Sequence, residues 1–204
     1  MVRRRASQSR PLLQAGKLFV WTLLALAGAT VLAAARTGLD RLDVAHLRQG
    51  LAAFDRQDYT AAGALLRRPA EHGAAEAQAA LCYLHNYGRG VPQSFRAAAH
   101  WCRRAAAQGD AQGQYLLGLL YSSGHGVPED YVQAYKWLNL AATRTAGPKR
   151  DFSYRIRDSV AAKMSPAQVA RAQALSVAWR PQPELRDAAG MAHECAGGNP
   201  CREP

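Results

Sequence analysis

The longest uninterrupted apolar stretch of the chain lies close to its N-terminus. Residues 18–35 contain 18 positions without a charge, and the residues before them are basic, with no acidic side chain among them. About 20 mainly apolar residues are needed to cross a hydrocarbon core, so the stretch is just long enough for a membrane helix. The basic flank is expected to stay in the cytoplasm. Residues 1–35 are therefore predicted to be a basic region followed by a transmembrane or signal segment.

Two fates of this segment are compatible with the pattern. Ala33-Ala34-Ala35 fits the small-residue motif that signal peptidase accepts, whereas 18 apolar residues exceed the usual h-region of roughly 7 to 15, which favours an uncleaved anchor. The remaining chain is expected in the periplasm in either case. The protein is then a single-pass inner-membrane protein or, after cleavage, a diffusible periplasmic one.

Beyond residue 36 the apolar positions are rich in alanine and poor in β-branched residues, a balance that favours helices over strands. The pattern also repeats. Residues 75–110 align without a gap on residues 111–146, a period of 36 with twelve identities, and both contain Gly-x-Gly-Val-Pro. A fixed period of this length predicts an all-α fold, a short solenoid of helix-turn-helix repeats.

Each repeat is predicted to be a helix, a tight turn and a second helix. The glycines would take backbone conformations that other residues disfavour, and the proline would start the second helix. One tryptophan in each repeat would fill the gap to the next. The structural residues of the two repeats are Gly88, Gly90, Pro92, Trp101, Gly124, Gly126, Pro128 and Trp137.

The repeat region is expected to cover residues 36–147 in three units, at about 43–74, 75–110 and 111–147. The first unit lacks the Gly-x-Gly-Val-Pro turn, and we interpret it as an atypical capping repeat.

A further pair of helices is expected over residues 148–180. The sequence from Ser165 to Gln168 has the form of a capping box with Pro at the first helical position, which predicts a helix start there. Phe152, Ile156 and Val160 would form the buried stripe of the helix before it, so that the pair closes the core. Residues 181–204 are rich in Pro, Gly and polar residues and are predicted to be a flexible tail.

The two repeats resemble the Sel-one-like repeat family, a branch of the tetratricopeptide-related helical solenoids. The resemblance rests on AEAQAALCYLHNYGRGVPQSFRAAAHWCRRAAAQGD and AQGQYLLGLLYSSGHGVPEDYVQAYKWLNLAA. The sequence departs from the family pattern at Cys82, His85 and Ser94. The resemblance implies a right-handed superhelix that binds proteins or peptides, often as an adaptor or assembly factor in bacterial envelopes.

Stacked helix pairs usually present a concave binding face lined by the first helix of each repeat. Helical spacing places Leu81, Cys82 and His85 towards the core, and the opposite face would contact a protein or peptide partner. An ordinary half-exposed surface is the alternative interpretation. The candidate partner-binding residues are Ala79, Tyr83, Asn86, Tyr115, Leu119 and Ser122.

Four cysteines are present, and an exported location makes disulfides plausible. Local pairing is expected, Cys82 with Cys102 and Cys195 with Cys201, although the first pair could equally be two buried thiols. His193 could join Cys195 and Cys201 around zinc, but the spacing is poor for such a site. We therefore predict no metal site.

The net charge of +11 and the pI near 10 would ordinarily suggest nucleic acid as a partner. The exported location argues against it and favours a solvated surface or attraction to anionic envelope polymers. The sequence contains no motif for nucleophilic catalysis, metal hydrolysis or phosphate binding, so no cofactor is expected. A non-catalytic envelope scaffold is the favoured function; an enzyme acting on peptidoglycan or β-lactam-like ligands is the alternative.

Overall fold

The computed structural model describes residues 41–182, which form eight α-helices and no strand. Helix α1 covers residues 41–55 of this part of the chain. The other helices, in chain order, are α2 (Tyr59–Glu71), α3 (Ala75–Tyr87), α4 (Phe95–Gln108), α5 (Ala111–Ser123), α6 (Tyr131–Arg144), α7 (Gly147–Ala161) and α8 (Pro166–Ala178). The predicted all-α fold is confirmed over the described range.

The chain divides into two compact units, residues 1–44 and 45–204. The predicted membrane or signal segment belongs to the first unit and lies outside the described residues. Between residues 41 and 182, no helix has both the length and the apolar character needed to span a bilayer. All contacts given below lie within the second unit.

Helices of the second unit pack mainly on their neighbours along the chain, from α2 on α3 through to α6, which contacts both α7 and α8. This is the order of contacts in a solenoid. Buried side chains form three successive clusters, centred on Leu66 and Leu84, on Leu116, and on Leu138. Trp101 contacts the first two clusters and so bridges adjacent repeats, as predicted.

The Gly-x-Gly-Val-Pro turns take the backbone conformation that the sequence requires. Gly88 and Gly90 have φ values of 65° and 68°, and Gly124 and Gly126 have 69° and 71°. A Cβ on Gly90 would overlap the backbone of Tyr59 at the start of α2, and one on Gly126 would overlap the first residue of α4. The second glycine of each turn therefore also allows one repeat to approach the repeat before it.

The prediction that Pro92 and Pro128 start the second helices is wrong. Helices α4 and α6 begin three residues after each proline, at positions fixed by the N-caps Ser94 and Asp130. The cap side chains accept hydrogen bonds from the backbone N–H three residues on, at 3.2 Å and 3.0 Å. Side-chain capping of these free N–H groups sets the helix start, and the prolines belong to the preceding turn.

The first repeat unit has a shorter turn with different chemistry. Between α1 and α2 the left-handed conformation is taken by Gln57, with φ of 63°, the one non-glycine residue with positive φ in the described part of the chain. Asp58 follows it and caps α2 through the N–H of Ala61 at 3.2 Å. A left-handed residue and a cap thus reverse the chain without the two glycines of the later repeats.

The C-terminal helix pair packs on α6, as predicted. The capping box is confirmed, because Ser165 N–H donates to Gln168 Oε1 at 2.8 Å and Gln168 N–H donates to Ser165 Oγ at 3.3 Å. Val160 and Ala172 are buried in the third cluster. Phe152 departs from the predicted stripe, since it is 45% exposed and faces Tyr115 of α5.

A disulfide joins Cys82 of α3 to Cys102 of α4, with the two Cα atoms 5.1 Å apart. Both cysteines are fully buried. The bridge therefore fastens the two helices of one repeat to each other from inside the core. Cys195, Cys201 and His193 lie outside the described residues.

Candidate partner-binding groove

A groove runs along the first helices of successive pairs. Its larger part, called here the acidic pocket, is a cavity of about 390 Å³ between α1, α3 and the start of α5. It is lined by Leu51, Phe54, Asp55, Glu76, Ala79, Ala80, Tyr83, Asp110 and Gln112. The second helices α2, α4 and α6 contribute no lining residue, so this surface belongs to one side of the helix stack.

A smaller apolar pocket of about 110 Å³ continues the groove between α5 and α7. It is lined by Ala111, Gln112, Tyr115, Thr145, Lys149, Phe152 and Ser153. Gln112 lines both cavities, so the acidic and the apolar pocket adjoin. Together they span four first helices, a length suited to an extended segment of chain.

Aromatic rings form one wall of the acidic pocket. The Phe54 ring meets the Tyr83 ring edge-on at a centroid distance of 5.3 Å, and Tyr83 lies 4.7 Å from Tyr87, one helical turn further along α3. The Arg89 guanidinium lies over the Tyr59 and Tyr83 rings at 5.3 Å and 5.6 Å. Aromatic side chains of this kind dominate the energetics of protein interfaces.

Burial perturbs the ionisable groups of the groove. Desolvation raises the pKa of the Asp110 carboxyl, although the N–H groups of Gly113 and Gln112 oppose the shift, and the nearby Glu76 adds to it. Desolvation also raises the pKa of the Tyr83 and Tyr115 hydroxyls. The groove is thus partly screened from water, and its tyrosines are neutral at physiological pH.

Residues 75–110 and 111–145 match the family model of the Sel1 repeat. The chain carries two Sel1 repeats. The matched segments contain the whole of α3, α4, α5 and α6, the part in which the turn glycines and the tryptophans recur. The expected family is confirmed, and Sel1 repeats commonly mediate binding between proteins.

One solved structure supports the same assignment. A protective antigen present in uropathogenic Escherichia coli strains, whose crystal structure displays an SLR fold, shares 31% identity at a TM-score of 0.59. The match covers 66% of this chain and 29% of that one, so this chain spans less than a third of the antigen's length. A Sel1 repeat protein from Oxalobacter formigenes shares 33% identity at a TM-score of 0.45, over 48% of this chain and 40% of that one. No curated protein matches the chain.

Three of the six predicted partner-binding residues line the groove of the Sel1 repeats. Ala79 and Tyr83 lie in the acidic pocket and Tyr115 in the apolar pocket. Ala79 is 4% exposed, so it forms the floor.

The other three predicted residues line neither pocket. Leu119 packs partly against the core. The Ser122 hydroxyl donates to the Leu119 carbonyl at 2.8 Å, and the Asn86 carbonyl accepts from the Gln93 side chain at 2.9 Å. His85, expected in the core, is half-buried at the turn, with Nδ1 3.3 Å from the Pro92 carbonyl oxygen.

Sequence reasoning missed the acidic residues of the groove and its α1 and α7 sides. One signal was present: Glu76 and Gln112 occupy equivalent positions of the two Sel1 repeats, as do Ala79 and Tyr115, and all four line the groove. The first turn of each first helix therefore faces the same surface. Phe54 and Phe152 lie beyond the 36-residue alignment and had no equivalent to mark them.

Among residues 41–182, no group of three or more His, Cys, Asp and Glu side chains is arranged to hold a metal ion.

Proposed function

We propose that the protein is a non-catalytic scaffold or adaptor of the bacterial cell envelope that binds a partner protein or peptide in the groove of its Sel1 repeats. The observation that carries the proposal is the groove itself, lined by aromatic and apolar side chains from four successive first helices. Extended surfaces of this kind are the usual binding faces of repeat proteins. Its two adjoining pockets suit an extended segment or a single helix better than a broad globular face.

The envelope location rests on the N-terminal sequence. The uncharged residues 18–35 with their basic flank would anchor the chain in the inner membrane and leave the repeats in the periplasm. The Cys82–Cys102 disulfide supports this location, because structural disulfides persist in oxidising compartments. Intact-mass measurement of the membrane fraction is expected to show a chain that begins at Met1. A chain that begins near Arg36 and is recovered from the soluble periplasm would show a diffusible binder instead.

Site-specific photo-crosslinking in intact cells tests the binding surface. A benzophenone amino acid replaces Tyr83 in the acidic pocket or Tyr115 in the apolar pocket and, as a control, Arg103 on α4 outside the groove. The groove positions are expected to give the same discrete crosslinked partner, which the Arg103 position does not give. Identical products from all three positions, or none from the groove positions, would contradict a groove-based scaffold.

A further inference from the structure

The acidic pocket is unusual for a chain with 26 basic and 15 acidic residues. Asp55 from α1, Glu76 from α3 and Asp110 at the start of α5 all line it. Within the described residues, neither Asp55 nor Glu76 forms an ion pair, and Glu76 acts on Asp110 as a like charge. Three carboxylates therefore share one cavity without a cation of the repeats to neutralise them.

The apolar lining of the same pocket suits the stem of a long basic side chain. Leu51, Phe54, Ala79 and Ala80 form an apolar surface below the carboxylates. Lys and Arg bury their methylene stems on such surfaces while the charged head meets a partner. The Arg89 guanidinium lies over the Tyr59 and Tyr83 rings, so the head of an incoming side chain is directed away from it and towards the carboxylates.

The adjoining apolar pocket sets the neighbouring position of the ligand. Tyr115 and Phe152 face each other with ring centroids 6.0 Å apart, and the Ala111 methyl and the Lys149 stem complete the lining. A second basic side chain is disfavoured here by the Lys149 ammonium group. An aliphatic or aromatic side chain fits this pocket.

We propose that the groove selects an extended protein segment in which an Arg or Lys side chain binds among Asp55, Glu76 and Asp110 and a neighbouring apolar side chain binds in the apolar pocket, against Tyr115 and Phe152. This inference rests on the proposed function and specifies the chemistry of its partner. Charge complementarity fixes the class of occupant, because anionic polymers are repelled at the acidic pocket. A basic segment is also attracted to the groove over a longer range, which raises its rate of association.

Selection from a library of random peptides of about twelve residues, displayed on phage, tests the proposal with the full chain immobilised in detergent. Selected peptides are expected to be several-fold enriched in Arg and Lys next to an apolar residue. The affinity of a selected peptide for the Asp55→Asn plus Glu76→Gln variant should fall by roughly tenfold or more, and added salt should weaken wild-type binding. The control variant Glu71→Gln plus Glu129→Gln carries the same charge change outside the groove and should keep wild-type affinity.

Three results would overturn the proposal. The first is selection of acidic or purely apolar peptides, and the second is equal affinity of the groove and control variants for a selected peptide. The third is a wild-type dimer that a basic peptide does not dissociate, because a second copy of the chain would then occupy the groove. Photo-crosslinking separates this failure from failure of the scaffold function. Groove-specific crosslinks to a partner segment without basic residues keep the scaffold and reject the charge selection, whereas silent groove positions reject both.

Discussion

The Gln114 side-chain amide donates a hydrogen bond to the Ala106 carbonyl at 3.2 Å, and the Gln78 amide makes the same bond to the Ala70 carbonyl at 3.0 Å, one repeat earlier. Each bond joins the first helix of a Sel1 repeat to the end of the preceding second helix. Both glutamines are fully buried. The two carbonyls also accept from the backbone N–H groups of Gly109 and Gly73, at 3.0 Å and 3.1 Å, so each buried amide is a second donor at the end of the helix. It fixes how successive repeats stack.

The two junctions differ in how completely the amide is satisfied. Gln78 Oε1 accepts from Gln108 Nε2 at 2.8 Å, whereas the buried Gln114 Oε1 has no partner among the described residues. The position equivalent to Gln108 in the next repeat is Arg144, whose guanidinium lies 4.5 Å from the Trp179 ring centroid. The second junction therefore carries one unpaired acceptor that the first does not.

Replacing these glutamines is expected to destabilise the protein unequally. Gln78→Ala removes more bonds than Gln114→Ala, and each should lower the free energy of unfolding by about 1–3 kcal/mol, with the larger loss for Gln78. Denaturant titration measures both, with the exposed Gln49→Ala as the control. Equal losses, or losses no greater than that of the control, would show that the amides do not hold the junction.

The close approach at the second glycine of each turn predicts a large loss of stability when that glycine is replaced by alanine. Gly126→Ala would place a Cβ into the backbone of Phe95 and should cost about 3 kcal/mol or more. Gly147 also has positive φ, of 59°, but a Cβ there meets nothing within 4 Å, so Gly147→Ala should cost only about 1–2 kcal/mol. Thermal unfolding of the two variants separates close approach from backbone strain; similar losses would exclude the close approach as the cause.

The disulfide predicts a redox-dependent stability. The Cys82–Cys102 bridge closes a loop over a sequence separation of 20 residues, which corresponds to about 3 kcal/mol of stabilisation. Reductant should lower the wild-type free energy of unfolding by about that amount and shift the denaturant midpoint down accordingly, and the Cys82→Ala plus Cys102→Ala variant should lose the response. A wild-type midpoint unchanged after verified reduction of this bridge would contradict its structural role.

Asp110 predicts a pH effect with a definite sign. Its pKa in the folded chain is raised above the usual 3.8, so the unfolded chain ionises this group more readily. The contribution of Asp110 to the free energy of unfolding therefore falls as the pH rises from 3.8 through the raised pKa, and it is least favourable at neutral pH. Asp110→Asn keeps a capping oxygen for the Gly113 N–H and should stabilise the protein at neutral pH, with the gain vanishing below pH 3.8.

The matching control for that measurement is Asp130→Asn, an N-cap of α6 outside the groove. It makes the same exchange of a capping carboxylate for a capping amide at a position away from the acidic pocket. A loss of stability for Asp110→Asn that is the same at neutral and acidic pH would show that burial of the charge is not what governs this position.

Local signals explain what the sequence predicted correctly. The turn glycines, the capping box at Ser165 and the tryptophan bridge at Trp101 act through short-range geometry, and the structure confirms them. The proline positions were wrong because Ser94 and Asp130 compete for the helix start, and side-chain capping decides it.

The groove was only half predicted because it is assembled from repeats that are not alike. Helical periodicity placed Tyr83 and Tyr115 on it. The α1 side has no Gly-x-Gly-Val-Pro turn to fix its register, and Phe152 lies beyond the last repeat. The acidic pocket needs side chains from α1, α3 and α5 together, a tertiary arrangement that periodicity within a single helix does not contain.

Calorimetric titration of the crosslinked partner segment into the full chain measures whether the partner binds in the groove. Tyr115→Ala plus Phe152→Ala is compared with Tyr154→Ala, which removes an aromatic ring of α7 that lines neither pocket. The groove variant is expected to bind at least roughly tenfold more weakly than the wild type, while the Tyr154 variant binds normally. Equal affinities for the wild type and the groove variant, with both folded, would place the partner on another surface.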